Sequence, residues 1–414
     1  MGSLFLIKYL IQKDSFTIVI FSKLMEVDKV RYDREKEVMF LLVALTKQEK
    51  LFHLRREMSL ADIQHLKKTN QFFCPQCKEP LLLKVGTIKI PHFAHLKHSS
   101  CESLFSEGES AAHLLGKQQL CSLFSKLQLP VILEPYLPHI QQRPDLLITK
   151  DDILYAIEFQ CSKIAAPIFE RRTKGYFDAK IHPVWILHTP NDTFKSPGLT
   201  KISINHSNAQ FIQTYKKQHY LITYDVQSEA FYYVSNLIPI QGLQYFGVVQ
   251  ALPLMQQQFP FLIPQVITKK TFQQIFLQNI HKRNLMLHSR LLLSRKGVND
   301  LFLRAVYELG CTIQTLPHFI GIPILFSQLE ISNVEWQMLL FYFLHIHQLT
   351  PQKMHEKSVP YFLQWAKLSE GAQMCDAVVQ YLQLLKSLSI EGVHSAILDE
   401  QLIEKLYAKL VAFG

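Results

Sequence analysis

The sequence predicts an α/β core between two unlike neighbours, a small β-rich module before it and an all-α domain after it. Three observations carry this. Between Glu107 and Leu187 the apolar pattern gives a helix, three strands, a helix and a strand. Upstream, Cys74-Pro75-Gln76-Cys77, His92-Phe93-Ala94-His95 and Cys101 cluster in a short β-like stretch. From Lys269 the apolar spacing turns helical (Leu285, Leu287, Leu291, Leu292), with few β-type alternations. The expected division is 1–38 as an extension, 39–105 as a hairpin plus the Cys/His module, 106–235 as the core, 236–268 as a connector and 269–414 as helices.

The elements run in order. Met39 to Leu45 is an opening strand, and Lys50 to Leu54 returns as a hairpin. Ala61 to Lys68 is a short helix, and Phe72 to His98 is the β-module. Glu107 to Lys126 is a helix and Pro130 to Glu134 a strand. Ala166 to Phe177 is an amphipathic helix with Arg171, Arg172 and Lys174, and Pro183 to Leu187 is a buried strand. His219 to Tyr224 and Ala230 to Val234 form a further hairpin. Residues 236–265, with several Gln and Pro, resemble a linker. Residues 1–38 match the rest of the chain poorly, and Met39 is a candidate start.

The stretch richest in chemistry is Arg143-Pro144-Asp145-Leu146-Leu147-Ile148, then Thr149-Lys150-Asp151-Asp152, then Ile153-Leu154-Tyr155-Ala156-Ile157-Glu158-Phe159-Gln160. A hairpin closed on the polar turn pairs Ile148 with Ile153 and Asp145 with Ala156. Alternation puts Ala156, Glu158 and Gln160 on one face. Glu158 then lies diagonal to Asp145, roughly 7–8 Å away between backbones. Such a gap suits one magnesium, which takes few protein ligands and keeps several waters. Both acids could instead be solvated strand ends. Glu158 argues otherwise, because a carboxylate inside an apolar run is costly unless paired or metal-bound.

Two thiolates three positions apart can chelate one zinc, and a distant His/Cys pair completes a tetrahedron. The expected ligands are Cys74, Cys77, His95 and Cys101, with His92 interchangeable with His95. A zinc there would be structural, with no open position for chemistry. Small buried thiols beside surface histidines would give the same pattern.

Among 414 residues, 48% are hydrophobic and 19% charged, which describes a globular chain and not a disordered one. The net charge of +10 favours a polyanionic partner, although no single Lys/Arg block supplies it. The 7 cysteines are an odd count and fit a reducing compartment with a metal site better than a disulfide framework. Neither the N-terminus nor the run from Leu339 to Ile346 has the form of a membrane span. The expectation is a cytoplasmic protein.

Glu109, His113 and Lys117 recur every four residues and share a helical stripe. Alone this is a solvated face. Beside the hairpin, Glu109 could add a metal ligand and Lys117 a phosphate contact.

Taken together, these motifs resemble the competence protein CoiA family, whose central domain looks like a PD-(D/E)XK nuclease. The resemblance rests on Cys-x-x-Cys with His-Phe-Ala-His, Glu-Ser-x-x-His-x-x-x-Lys, Arg-Pro-Asp and Glu-Phe-Gln-Cys-Ser. It extends to Arg171, Tyr176, Val184-Trp185-Ile186-Leu187, Pro317 to Pro323 and Glu335-Trp336-Gln337, and runs from about Met39 to the C-terminus. It implies an αβββαβ core and a cytoplasmic role in natural transformation, in the processing and recombination of incoming DNA. It also implies that Asp145 and Glu158 hold magnesium or manganese, that Glu109 assists, and that Gln160 stands where many such nucleases have Lys. Gln can orient water but cannot supply that charge; Lys117 or Lys163 could. Arg171, Arg172 and Lys174 would contact the DNA backbone.

The alternative is a non-catalytic DNA-binding scaffold or loader. Its helical tail would dock a recombinase or a single-strand-binding protein. A zinc hydrolase using the Cys/His module is a third class, disfavoured because the ligand set leaves no open position. Tyr215, Tyr220 and Tyr224 could stack on bases, though sheet packing explains them as well.

Overall fold

The computed structural model describes residues 40–55, 57–86, 90–96, 110–215, 218–241, 243–261, 266–294, 299–324 and 331–411. The expectations for residues 1–38, Glu109 and Cys101 lie outside these residues.

The chain opens with β1 (Phe40–Leu41) and β2 (Val43–Thr46), which turns back as β3 (Leu51–His53). Ser59 caps α1 (Leu60–Thr69). Then β4 (Phe72–Phe73), β5 (Pro80–Lys84) and β6 (His92–His95) complete a 6-stranded sheet ordered β1-β6-β5-β4-β2-β3. Phe72 and Phe93 pack across it, with ring centroids 4.7 Å apart.

The second unit begins with α2 (Ala111–Lys126), whose N-terminus is capped by Ser110 Oγ accepting from the His113 amide. β7 (Val131–Leu133), β8 (Leu146–Lys150) and β9 (Ile153–Gln160) form an antiparallel meander. α3 (Ala166–Asp178) then crosses over to β10 (Ile181–His188), which runs parallel to β9. The order is helix, three strands, helix, strand, as expected.

The hairpin register differs from the expectation. Asp151 and Asp152 both adopt left-handed φ, at 51° and 61°, so they alone make the turn. Lys150 pairs with Ile153 and Ile148 with Tyr155. The slip is by two residues, so the faces survive, because side chains alternate with a period of two. Continuing the register one step places Asp145 directly opposite Glu158 instead of diagonal to it.

After β10 come β11 (Gly198–Ser203), α4 (His206–Ala209), β12 (Gln213–Tyr215), β13 (Gln218–Asp225), β14 (Ala230–Gln241) and β15 (Gln244–Pro253). The sheet reaches 9 strands, ordered β11-β15-β14-β13-β10-β9-β8-β7, with β12 on β13. Residues 236–253 are therefore largely strand and not connector. Pro239, which argued against a strand, sits where the β14–β15 register shifts, a place that tolerates a residue without an N–H.

The two sheet faces pack differently. Leu146, Ile148, Ile157 and Phe159 bury against Leu114, Leu120 and Phe124 of α2. Leu147, Ala156 and Ile181 bury against Tyr176 of α3. Gly116 is where α2 crosses β9, and a Cβ there would stand 2.1 Å from Phe159 Cε1. The glycine lets the helix lie close enough for His113 to reach the sheet edge.

The C-terminal third is helical: α5 (Lys269–Leu293), α6 (Leu301–Glu308), α7 (Asn333–Ile346), α8 (Val359–Trp365), α9 (Ala372–Ser387) and α10 (Asp399–Leu410). Its core includes Trp336, Phe341, Tyr381 and Leu385, and it also takes in Ile238 of β14 and Phe246 of β15. Among the described residues no helix is long and apolar enough to cross a membrane.

Candidate active site

Asp145 immediately precedes β8, and Glu158 lies near the end of β9. On the α2 side, Asp145 Oδ2 lies 3.1 Å from His113 Nε2 and accepts from the Phe159 amide at 2.8 Å. Burial opposes ionisation of Asp145. The His113 charge and hydrogen bond, with Lys117 and the Phe159 amide, outweigh it and hold the carboxyl well below the usual range.

Glu158 is 2% exposed and points toward α3. Its Oε1 accepts from Arg172 Nη2 and from the Tyr176 hydroxyl. Burial dominates here. The Arg172 charge opposes it and Asp145 adds to it, and the carboxyl is pushed up to about 7. The two acids are thus driven apart, Asp145 toward its ionised form and Glu158 up to about 7. Among the described residues, these hydrogen bonds use Oδ2 of Asp145 and Oε1 of Glu158 and leave the second oxygen of each outside them.

Gln160 lies on the same face as Glu158, and its Nε2 donates to Ser162 O at 3.1 Å and Ser162 Oγ at 3.3 Å. Lys117 is 1% exposed, its ammonium paired with Glu134. Buried there, it serves the interior and does not reach a phosphate at the surface. Arg172 is likewise buried, on Glu158, so its expected backbone contact gives way to an ion pair. Lys163, Arg171 and Lys174 are exposed.

Sequence reasoning missed Glu134. It has a left-handed φ of 49° at the end of β7, is 4% exposed, and accepts from the Leu42 amide at 2.9 Å. Its amide donates to Asp145 O at 2.9 Å. The one available signal was a carboxylate closing an apolar strand; its partner Lys117 lies on another element.

In the β-module, Cys74, Cys77 and His95 bring their ligand atoms within 4.8 Å of one another. Cys77 Sγ is 3.4 Å from His95 Nε2. Burial raises the Cys74 thiol, but the His95 hydrogen bond, the Cys77 and Gln76 amides and nearby Arg143 bring it down to about 6. Such thiols suit a thiophilic cation. Among the described residues the cluster takes His95 and not His92. Three residues apart on β6 they face opposite ways, and His92 Nδ1 donates to Ile90 O at 2.8 Å.

Comparison with known proteins agrees with both units. The family described as "Competence protein CoiA, N-terminal domain" matches residues 56–104, and "Competence protein CoiA, nuclease-like domain" matches residues 109–266. The chain is 35% identical over 204 residues to "Competence protein CoiA" of Bacillus subtilis (strain 168). That alignment covers 49% of this chain and 52% of the relative, so the chain spans about half the length of the curated protein it matches. No solved structure matches. The matches cover the β-module and the sheet that carries Asp145 and Glu158, and with them the chain belongs to the competence protein CoiA family.

Proposed function

We propose that this protein is a magnesium- or manganese-dependent deoxyribonuclease with a PD-(D/E)XK-type core, processing incoming DNA during natural transformation and recombination in the cytoplasm. One observation carries the reading: extending the β8–β9 register by one step sets Asp145 across from Glu158, and among the described residues each has one carboxylate oxygen outside its hydrogen bonds. That donor pair fits a hard divalent cation that keeps most of its waters.

Asp145, its carboxyl held below the usual range, and Glu158, once deprotonated, would hold the cation. The bound cation would polarise the phosphate and acidify a water. Gln160, its amide fixed by Ser162, orients water but takes no proton. Lys163, Arg171 and Lys174 are exposed, which supports their contact with the DNA backbone, an affinity that falls with salt. Cys74, Cys77 and His95, with Cys101 as the expected fourth ligand, would hold a structural zinc.

The second reading is a DNA-binding scaffold or loader, with the helical domain docking a recombinase or single-strand-binding protein. Arg172 favours it, since it already neutralises Glu158 from within the protein.

The test is cleavage of end-labelled single-stranded and branched DNA with magnesium or manganese. Glu158→Ala and Asp145→Ala should each lower cleavage by about 100-fold or more, since losing even an outer-shell partner of a metal ligand costs 10–100-fold. DNA affinity should persist. No cleavage by any form, with salt-sensitive binding by all, would select the scaffold.

A further inference from the structure

The two candidate sites are joined by a short covalent and hydrogen-bonded path. Gln76 lies between the two cysteines, and its amide donates to Cys74 Sγ at 3.4 Å. The turn is closed by the Lys78 amide on Cys74 O at 3.0 Å and the Cys74 amide on Glu79 O at 2.8 Å. Lys78 takes a left-handed φ of 63° to make it. The Gln76 side chain leaves this turn, and its Oε1 accepts from Arg143 Nη2 at 3.1 Å.

Arg143 is two residues before Asp145 in the chain. Its carbonyl accepts from Arg172 Nη2 at 3.4 Å, the same nitrogen that donates to Glu158. Arg172 also lies 5.4 Å over the Trp185 ring. The Cys-x-x-Cys turn thus touches one residue that bears on both acids. It bears on Asp145 through the chain and on Glu158 through Arg172.

We propose that Cys74, Cys77 and His95 hold zinc, and that the turn this fixes positions the Asp145–Glu158 pair through Gln76 and Arg143. The role for the acids rests on the metal-dependent reading above; the mechanical link does not. Gln76 is a positioning residue, since it is neither a zinc ligand nor in contact with either acid. Emptying the zinc site frees the turn, loosens Arg143 and lets Arg172 shift on Trp185.

The test uses the full chain. Zinc content is measured on wild type, Gln76→Ala, Gln76→Glu and Cys77→Ser. Tryptophan emission is followed while a chelator strips the zinc, and the Trp185 share is taken as the part lost in Trp185→Phe. Zinc should be present in wild type and both Gln76 variants and absent from Cys77→Ser. Chelation should shift Trp185 emission in wild type and in Gln76→Glu, which keeps an oxygen for Arg143, but not in Gln76→Ala. Manganese affinity should fall by about 3- to 10-fold in wild type on zinc removal, within the range of ordinary site-to-site coupling, and by a similar factor in Gln76→Ala still loaded with zinc. A wild-type chain without zinc would overturn the proposal. So would Trp185 emission that ignores chelation, or that responds equally in Gln76→Ala, as general unfolding would produce. A zinc-dependent Trp185 signal without Glu158-dependent manganese binding would support the link and count against the nuclease reading alone.

Discussion

On the α2 side of the sheet, Lys117 and Glu134 form an ion pair sealed beneath the β-module, and Asp145 is held ionised by His113. On the α3 side, Arg172 and Tyr176 converge on Glu158, yet its carboxyl still rises to about 7. Both sides bury a carboxylate with a cation. The first fixes charge for structure, and the second holds a carboxyl that burial pushes up toward neutrality. The acid able to change state is therefore the more deeply buried of the two opposed ones.

That comparison can be broken by removing one cation at a time. Lys117→Met leaves the buried Glu134 side chain without its cation and should cost about 3–5 kcal/mol in urea unfolding. Arg172→Met should cost less, about 1–3 kcal/mol, because Glu158 can take up a proton instead. An Arg172 cost equal to or above that of Lys117 would erase the distinction.

The pH dependence sharpens it. Glu158 binds its proton more tightly folded, near 7, than at its ordinary 4.5, so stability falls as pH rises through that window. Asp145 acts in the opposite sense: its contribution is full above the ordinary 3.8 and is lost as pH falls toward its depressed folded value. Manganese affinity should accordingly rise with pH, with a midpoint near the Glu158 value of about 7. Arg172→Gln should move that midpoint alkaline, because Arg172 is what lowers it. An affinity that is flat across the neutral range would exclude Glu158 as a ligand.

The smallest effect concerns DNA. Lys174→Ala should reduce the slope of log affinity against log salt by about one and leave stability within about 0.5 kcal/mol. Lys117→Met should leave the salt slope unchanged, since its charge never meets solvent.

The element order of the core and the shared face of Ala156, Glu158 and Gln160 were legible in the sequence, because both depend on local periodicity. The hairpin register was not, since Asp151 and Asp152 can take left-handed φ without being glycine. The fate of the cations was equally hidden. Lys117 and Arg172 look like surface charges until α2 and α3 are laid on the sheet. β15 was obscured by Gln and Pro, although Tyr245, Phe246 and Val249 carry its burial. The Cys/His spacing predicted its cluster but could not choose between His92 and His95 until β6 set their faces.

β14 and β15 have a double allegiance. They are hydrogen-bonded into the 9-stranded sheet, while Ile238 and Phe246 sit in the core of the helices and Lys282 of α5 covers the Phe246 ring at 4.4 Å. Tyr407 of α10 reaches back to Ile267 O at 2.8 Å. The sheet and the helices therefore share one apolar core. A fragment severed ahead of α5 would carry a bare apolar patch across two strands and would tend to clump. The helical third therefore relies on the inner surface of those two strands to complete its own core.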